Sequence, residues 1–559
     1  MASTARAQQR DLRALTSLLD ELEELSMSPT SDSGAQARKK YLSDRIEDLV
    51  QNGCPFGALE AASPAPSYSG GPVISLDEEP LQSAVQALDQ YQNLCSLIER
   101  EMKHKQRVVG FAERMTAPAC RWMSFIHPMN GNVTRDETTR DYQHTTFQIV
   151  SATGGMISLP RNDQTLIRFL DTAGFVTMNI DIWANFFRYN KFSHAPLAAS
   201  TVSNLLCLYD VPMGGDFARA EARKRLSREM VHAFGKHPRR LCKVIARYAE
   251  VLIGSPPPEV DAQCMLFTAA NTLLGVKELR PYTCPRRVVS KLVHVIDRRS
   301  RGSAHECRAA VTAVRYLERL WLITSDNRTL EWSINDGILY PILRVMIAYP
   351  PPHEYHETLR PVLQTLYRSF IHYRVLLSFY MMHGTDLTFI AASQRVMAIA
   401  VLKEVYDARA PLMIIARKDW ALKKNLCHCA ECPRRTQPHL KLRTCECKRV
   451  YYCSKACQRK HWIAEHHRDC DVHDDMITKT GPRDMHLMRI LACDYVRARR
   501  REIIAEVNRE VRRLEDRRKD IQSSRKQLMR QLATTMEFDQ QVSVSFLGTQ
   551  LVEHAGKRT

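Results

Sequence analysis

The chain has 559 residues, 44% hydrophobic and 25% charged, proportions that exclude a collagen-like, low-complexity or wholly disordered protein. Its 80 Lys and Arg exceed its 61 Asp and Glu, a formal charge of +19 that favours acidic partners or nucleic acid and carries no information about fold. No run of roughly 18 apolar residues occurs, so no membrane span is expected, and the opening MASTARAQQRDLRALTSLL lacks the apolar centre of a signal peptide.

These features lead to the expectation of a cytoplasmic or nuclear protein whose thiols stay reduced. Cys54, Cys95, Cys120, Cys207, Cys242, Cys264, Cys284, Cys307 and Cys493 are scattered singly and read as buried reduced thiols. Along the chain, Leu12, Leu15, Leu19, Leu22 and Leu25 recur at helical spacing and predict an amphipathic helix over 11–25. Ser26–Gln36 and Ala62–Gly71 are rich in Ser, Pro, Gly and Ala and read as linkers, so residues 1–80 are expected to be ordered only in part.

Residues 81–420 repeat the helical pattern, with apolar residues three and four apart between Gly, Pro and polar breaks. The segment TTFQIVSATGGMISLP (145–160) is the main strand candidate. Helices of this length, paired about every 40 residues, predict a mainly α fold: an armadillo- or HEAT-like solenoid, or an irregular bundle. His353-Glu354-Tyr355-His356 lacks the H-E-x-x-H zinc spacing and, after three prolines, is expected to open a helix.

From Cys427 to Cys470 the pattern changes to a ladder of metal-ligand residues. Cys427, Cys429, Cys432, Cys445, Cys447, Cys453, Cys457, His466 and Cys470 form it. Thiolates two to four residues apart can close on one Zn²⁺, which takes four S or N ligands in a tetrahedron. Two such sites need eight ligands: seven are given by Cys432 onward, and Cys427 or Cys429 supplies the eighth. Closed four-ligand sites leave no water position, so both zincs are expected to be structural.

Beyond the ladder, 485–533 is again helical. Ile504, Val507, Val511, Leu514, Ile521, Leu528 and Leu532 mark a heptad seam, interrupted by Arg518 and Arg525. The final FDQQVSVSFLG alternates like an edge strand, so 485–559 is read as a basic helical tail ending in a short strand, the helical part docked by the preceding module.

The ladder resembles the MYND zinc-finger family. Tyr452-Cys453-Ser454-Lys455-Ala456-Cys457-Gln458, then Trp462, His466 and Cys470, carry the resemblance. Three residues separate Trp462 from His466 where many members have two, a gap similar to that in a group of long fungal MYND proteins. The second cysteine pair is Cys445-Glu446-Cys447, one residue short of the family's CxxC. The resemblance implies interleaved ligands: Cys427 or Cys429 with Cys432, Cys453 and Cys457 in one site; Cys445, Cys447, His466 and Cys470 in the other.

It also implies a protein-interaction module that binds short proline-containing peptides along a strand edge, with Gln458 and Trp462 lining the groove. On this view the chain is an adaptor or regulatory protein, its helical scaffold offering a surface to other proteins. Nucleic-acid binding is the alternative: 12 Lys and Arg face four Asp and Glu between Ala421 and Cys470. Some MYND proteins are SET methyltransferases. The sequence shows neither a Gly-rich cofactor loop nor the Asn-His-Ser/Cys-x-x-Pro-Asn run of those enzymes, so no enzymatic activity is expected.

Overall fold

The computed structural model describes residues 2–28, 33–61, 74–76, 78–79, 81–133, 140–159, 170–172, 174–190, 195–209, 216–254, 259–423, 427–435, 442–445, 450–470 and 480–520. It is mainly helical and divides into two units, 1–484 and 485–559.

Helices of at least seven residues are numbered in chain order. The first unit begins with α1 (Ala2–Met27), α2 (Ser33–Asn52), α3 (Leu81–Arg100) and α4 (Gln106–Ile126), followed by α5 (Arg140–Ser158), α6 (Phe175–Tyr189), α7 (Ala195–Tyr209), α8 (Asp216–Phe234) and α9 (Pro238–Gly254). Next come α10 (Val260–Leu273), α11 (Arg286–Arg299), α12 (Ala304–Ile323), α13 (Arg328–Asn335) and α14 (Leu339–Ala348), then α15 (Glu354–Arg368), α16 (Tyr373–His383), α17 (Leu387–Arg395) and α18 (Met397–Lys423).

The leucine stripe of α1 is buried at Leu12, Leu15, Leu19 and Leu22, and α1 packs on α2 and α3. Each buried leucine contributes about 1.5–3 kcal/mol of transfer free energy, so this helix belongs to the scaffold. The linker expected at Ser26–Gln36 is correspondingly short: Ser26 and Met27 close α1, and Ser33–Gln36 open α2. The second expected linker, Ala62–Gly71, lies outside the described residues.

The strand expected over 145–160 is instead part of α5. Its buried Ile149, Ala152, Thr153 and Met156 follow helical spacing, which the β-branched Thr145, Thr146, Ile149, Val150 and Thr153 disguise. Gly155 permits the close crossing: a Cβ there would stand 3.1 Å from the Gln92 carbonyl oxygen of α3. Asn204 of α7 donates to the Val150 carbonyl at 2.8 Å. Tertiary packing on both sides therefore decides the helix.

Helices stack on their neighbours in two rows. One row runs α3–α5–α7–α10–α12–α15–α18, and the other α9–α11–α13–α16. Four cross-helix contacts share one sequence separation, 47 residues: Arg299 to Leu252, Arg308 to Asp261, Arg344 to Asp297 and Thr365 to Glu318. Other hydrogen bonds between these helices span 36, 41, 44 and 51 residues, so each helix stacks on its nearest neighbours without one fixed register. His353 caps α15, its Nδ1 accepting from the Tyr355 amide at 3.2 Å, and Glu354 opens that helix.

Among the described residues no single helix is long and apolar enough to cross a membrane. Of the nine scattered cysteines, Cys54 and Cys493 are exposed and Cys207 and Cys264 half-buried, contrary to a uniformly buried set.

The second unit comprises the greater part of α20 (Pro482–Ala498) and α21 (Arg500–Asp520); α19 belongs to the zinc segment described below. Ile504, Val507, Val511 and Leu514 are each 45–55% exposed on α21. The rest of the expected heptad, from Ile521, and the expected terminal strand lie outside the described residues.

Candidate metal centre

Between α18 and α20 the chain forms strands β1 (Arg443–Thr444) and β2 (Tyr451–Tyr452), paired antiparallel, and helix α19 (Lys455–His461). Among the described residues this small region has little ordinary apolar core, only the partly buried Leu442 and Val450 packing against its cysteines. Its buried cluster is Cys427, Cys429, Cys432, Cys445, Cys457 and Tyr452. Five thiols around one ring cannot hold a fold by apolar burial alone, so cohesion must come from another source.

The sulfurs supply it. Those of Cys427, Cys432, Cys453 and Cys457 all lie within 4.8 Å of one another. Cys453 is 3.5 Å from both Cys432 and Cys457. Four thiolates at a zinc–sulfur distance of about 2.3 Å in a tetrahedron stand about 3.8 Å apart, so the donor set matches zinc in both chemistry and size.

Cys445, His466 and Cys470 form a second group within the same 4.8 Å limit. His466 Nε2 is 3.3 Å from the Cys445 sulfur, and the Cys445 and Cys470 sulfurs are 3.8 Å apart. Cys447 and Glu446 lie outside the described residues. Cys429 is buried beside the first group without joining it.

Local structure positions these ligands. Ser454 caps α19, its hydroxyl accepting from the Cys457 amide at 3.2 Å, which presents Cys457 on the first turn. Burial pushes the Cys427 and Cys429 thiols up, and Cys432 up to about 12. The Ser454 hydroxyl holds Cys457 down to about 7. The raised Cys427 and Cys432 thiols carry protons at neutral pH in the absence of metal, so metal binding must release those.

After α19 the chain makes one π turn, Trp462–His466. A π turn holds one residue more than an α turn. It therefore absorbs the long gap between Trp462 and His466 noted in the sequence. Trp462 stays 41% exposed, beside Ile463 at 71%, while His466 is buried in the second group. His461 stacks on His466 with ring centroids 5.5 Å apart, and its Nδ1 lies 2.8 Å from the Tyr452 hydroxyl. Gln458 is half-buried on α19.

Three features escaped the sequence reading. His428 closes one edge of β2: its amide donates to the Tyr451 carbonyl at 2.9 Å, and its Nδ1 accepts from the Tyr451 amide at 3.0 Å. Trp420 of α18 meets Tyr451 edge-on at 5.6 Å. Asp484 Oδ1 accepts from the Tyr373 amide of α16 at 2.7 Å. The segment is thus tied to the scaffold before and after its metal ligands. The position of His428 between two candidate ligands was the only available sign of its role.

Residues 429–470 match the family model of the MYND finger. No curated protein and no solved structure matches the chain. The chain therefore carries a MYND finger, a zinc-binding protein-interaction module, near the end of a helical protein. The match begins at Cys429, whereas the four-sulfur group uses Cys427.

Proposed function

We propose that this chain is an adaptor whose MYND finger reads proline-containing peptides, and that two zinc ions hold the finger rigid. Cys427, Cys432, Cys453 and Cys457 hold one ion; Cys445, Cys447, His466 and Cys470 hold the other. Both are structural. The carrying observation is that one π turn has an exposed Trp462 at its first position and a buried metal-group histidine at its last. A metal-anchored tryptophan offers a flat apolar face at little entropic cost, suited to stacking against proline.

Gln458, one turn earlier, supplies an amide for the peptide backbone. One edge of β2 is taken by β1 and the other by His428. Among the described residues the outer edge of β1 has no strand partner, and that is the edge a peptide would extend. The reduced thiols this arrangement requires are consistent with a cytoplasmic or nuclear site of action.

The test is binding of PxLxP peptides to the full zinc-loaded chain, measured with Trp462→Ala alongside. Loss of binding with unchanged zinc content supports the reading. Binding to nucleic acid with a steep salt dependence and no peptide preference contradicts it.

A further inference from the structure

The second row of the scaffold carries a positive face on α9 and α11. The two helices hold nine Arg and Lys against two acids, Glu250 and Asp297. Both acids are taken: Glu250 pairs with Lys291, and Asp297 with Arg301 and Arg344. Arg239, Lys243, Arg287 and Arg298 are exposed and have no carboxylate partner among the described residues. Arg240 donates to the neutral Asn185 carboxamide, and the Arg247 guanidinium lies over the Phe187 ring at 4.3 Å, so neither charge is neutralised.

Helical spacing gathers these charges. Arg239, Lys243 and Arg247 stand four residues apart, about 6 Å per step along α9, on the face opposite the buried Leu241, Ile245, Tyr248 and Leu252. α9 packs along α11, and Arg299 in the last turn of α11 donates to the Leu252 carbonyl in the last turn of α9 at 3.3 Å. The two helices therefore run in one direction. Their starts, Pro238-Arg239-Arg240 and Pro285-Arg286-Arg287, lie at the same end. The partial positive charges of both helix N-termini add to the cations there.

The start of α11 also carries an aromatic ring. Tyr282 is 68% exposed. Its loop is fixed: Pro281 and Cys284 are buried, the Tyr282 carbonyl accepts from the Ser325 amide at 3.0 Å, and Arg280 donates to the Leu274 and Gly275 carbonyls at 3.1 and 2.9 Å. A solvent-facing ring on a fixed loop, beside cations that no carboxylate neutralises, suits one class of ligand. We propose that this end of α9 and α11 binds single-stranded nucleic acid, with phosphates on Arg239, Lys243 and Arg287 and a base stacked on Tyr282.

An acidic peptide suits the face less well, because two helices side by side offer no open strand edge for its backbone. One tyrosine ring gives too little apolar surface to enter a membrane. The inference is independent of proline-peptide reading by the finger.

The test is fluorescence anisotropy of labelled oligouridylate and oligothymidylate, each of about a dozen nucleotides, with the full zinc-loaded chain. Both are expected to bind. Arg239→Gln, Lys243→Gln and Arg287→Gln together remove three phosphate contacts. Affinity should then fall by about 100-fold at about 0.1 M salt, and the slope of log K against log salt should shrink by about two. Tyr282→Ala should weaken binding by about fivefold or more and leave that slope unchanged. All four side chains are exposed, so the fold should survive their loss. PxLxP binding by the finger should persist in the triple variant, which separates the two readings. A control that removes three exposed cations of the finger, Lys455→Gln, Arg459→Gln and Lys460→Gln, should have much the smaller effect. Four results would overturn the proposal: no binding of either oligonucleotide, unchanged affinity in the α9–α11 triple variant, a larger loss in the finger control, or tighter binding of an oligoglutamate peptide or of phosphatidylserine vesicles.

Discussion

Trp462 and His466 sit at the two ends of one π turn, with ring centroids 5.7 Å apart in an edge-on arrangement. The first faces solvent and the second faces the Cys445–Cys470 sulfurs. A single helical turn therefore connects the metal to the surface that the proposed function uses.

If the π turn exists to absorb one extra residue, deleting exposed Ala464 should convert it to an α turn and leave both ends in place. Zinc content and PxLxP binding should both survive. Loss of one metal equivalent on mass spectrometry of the native protein would show that the π turn itself is required.

The two candidate first ligands should separate cleanly. Cys427→Ser removes a sulfur from the four-membered group, and zinc affinity in a chelator competition should fall by more than about 100-fold, since even an outer partner costs 10–100-fold. Cys429→Ser should change it little. The reverse order would mean that the ligand is the residue at which the family match begins.

How much of this was legible beforehand varied with the physics. The ladder was readable because zinc fixes donor type and spacing locally, so the residues from Cys427 to Cys470 announce themselves. The helical character of 81–420 followed from periodicity. The stacking order of the helices is not legible in the sequence, because stacking requires only apolar volume and leaves the surface free to diverge. One trace survives: Pro238-Arg239-Arg240 and Pro285-Arg286-Arg287 open consecutive stacked segments 47 positions apart. The 145–160 segment misled for the opposite reason. Its β-branched residues favour a strand locally, and only α3 and α7 packing around Gly154 and Gly155 settle the matter.

Arg299 is a buried cation that ties the repeats together, bonded to Gln263, to the Leu252 carbonyl and to Glu306. Truncating it leaves the buried Gln263 amide oxygen and the Leu252 carbonyl without this donor, whereas the part-exposed Glu306 keeps its bond to the Ser303 amide. Arg299→Ala should cost about 1–3 kcal/mol of unfolding free energy in a urea titration. Arg298→Ala, exposed on the same helix, should cost under about 0.5 kcal/mol.

His383 is fully buried among Tyr340, Phe379 and Phe389. Burial holds its pKa below the ordinary 6.5, and the hydrogen bond to Asp386 offsets this only in part. The unfolded chain therefore takes up a proton before the folded one does. The stability from keeping this ring neutral is present above pH 6.5 and is lost as pH falls through the depressed folded value. Wild type should lose up to about 1.4 kcal/mol per pH unit relative to His383→Asn in that window. Parallel pH profiles would remove His383 from the account.

Metal stoichiometry bears most directly on the whole account. Elemental analysis of the purified full chain should give two zinc ions per molecule. Removing them with a chelator should change the fluorescence of Trp462 and abolish protease resistance across 427–470, because structural zinc supplies about 10–16 kcal/mol to such a fold. A chain that carries no zinc, or whose finger keeps its protease resistance after complete chelation, would contradict it.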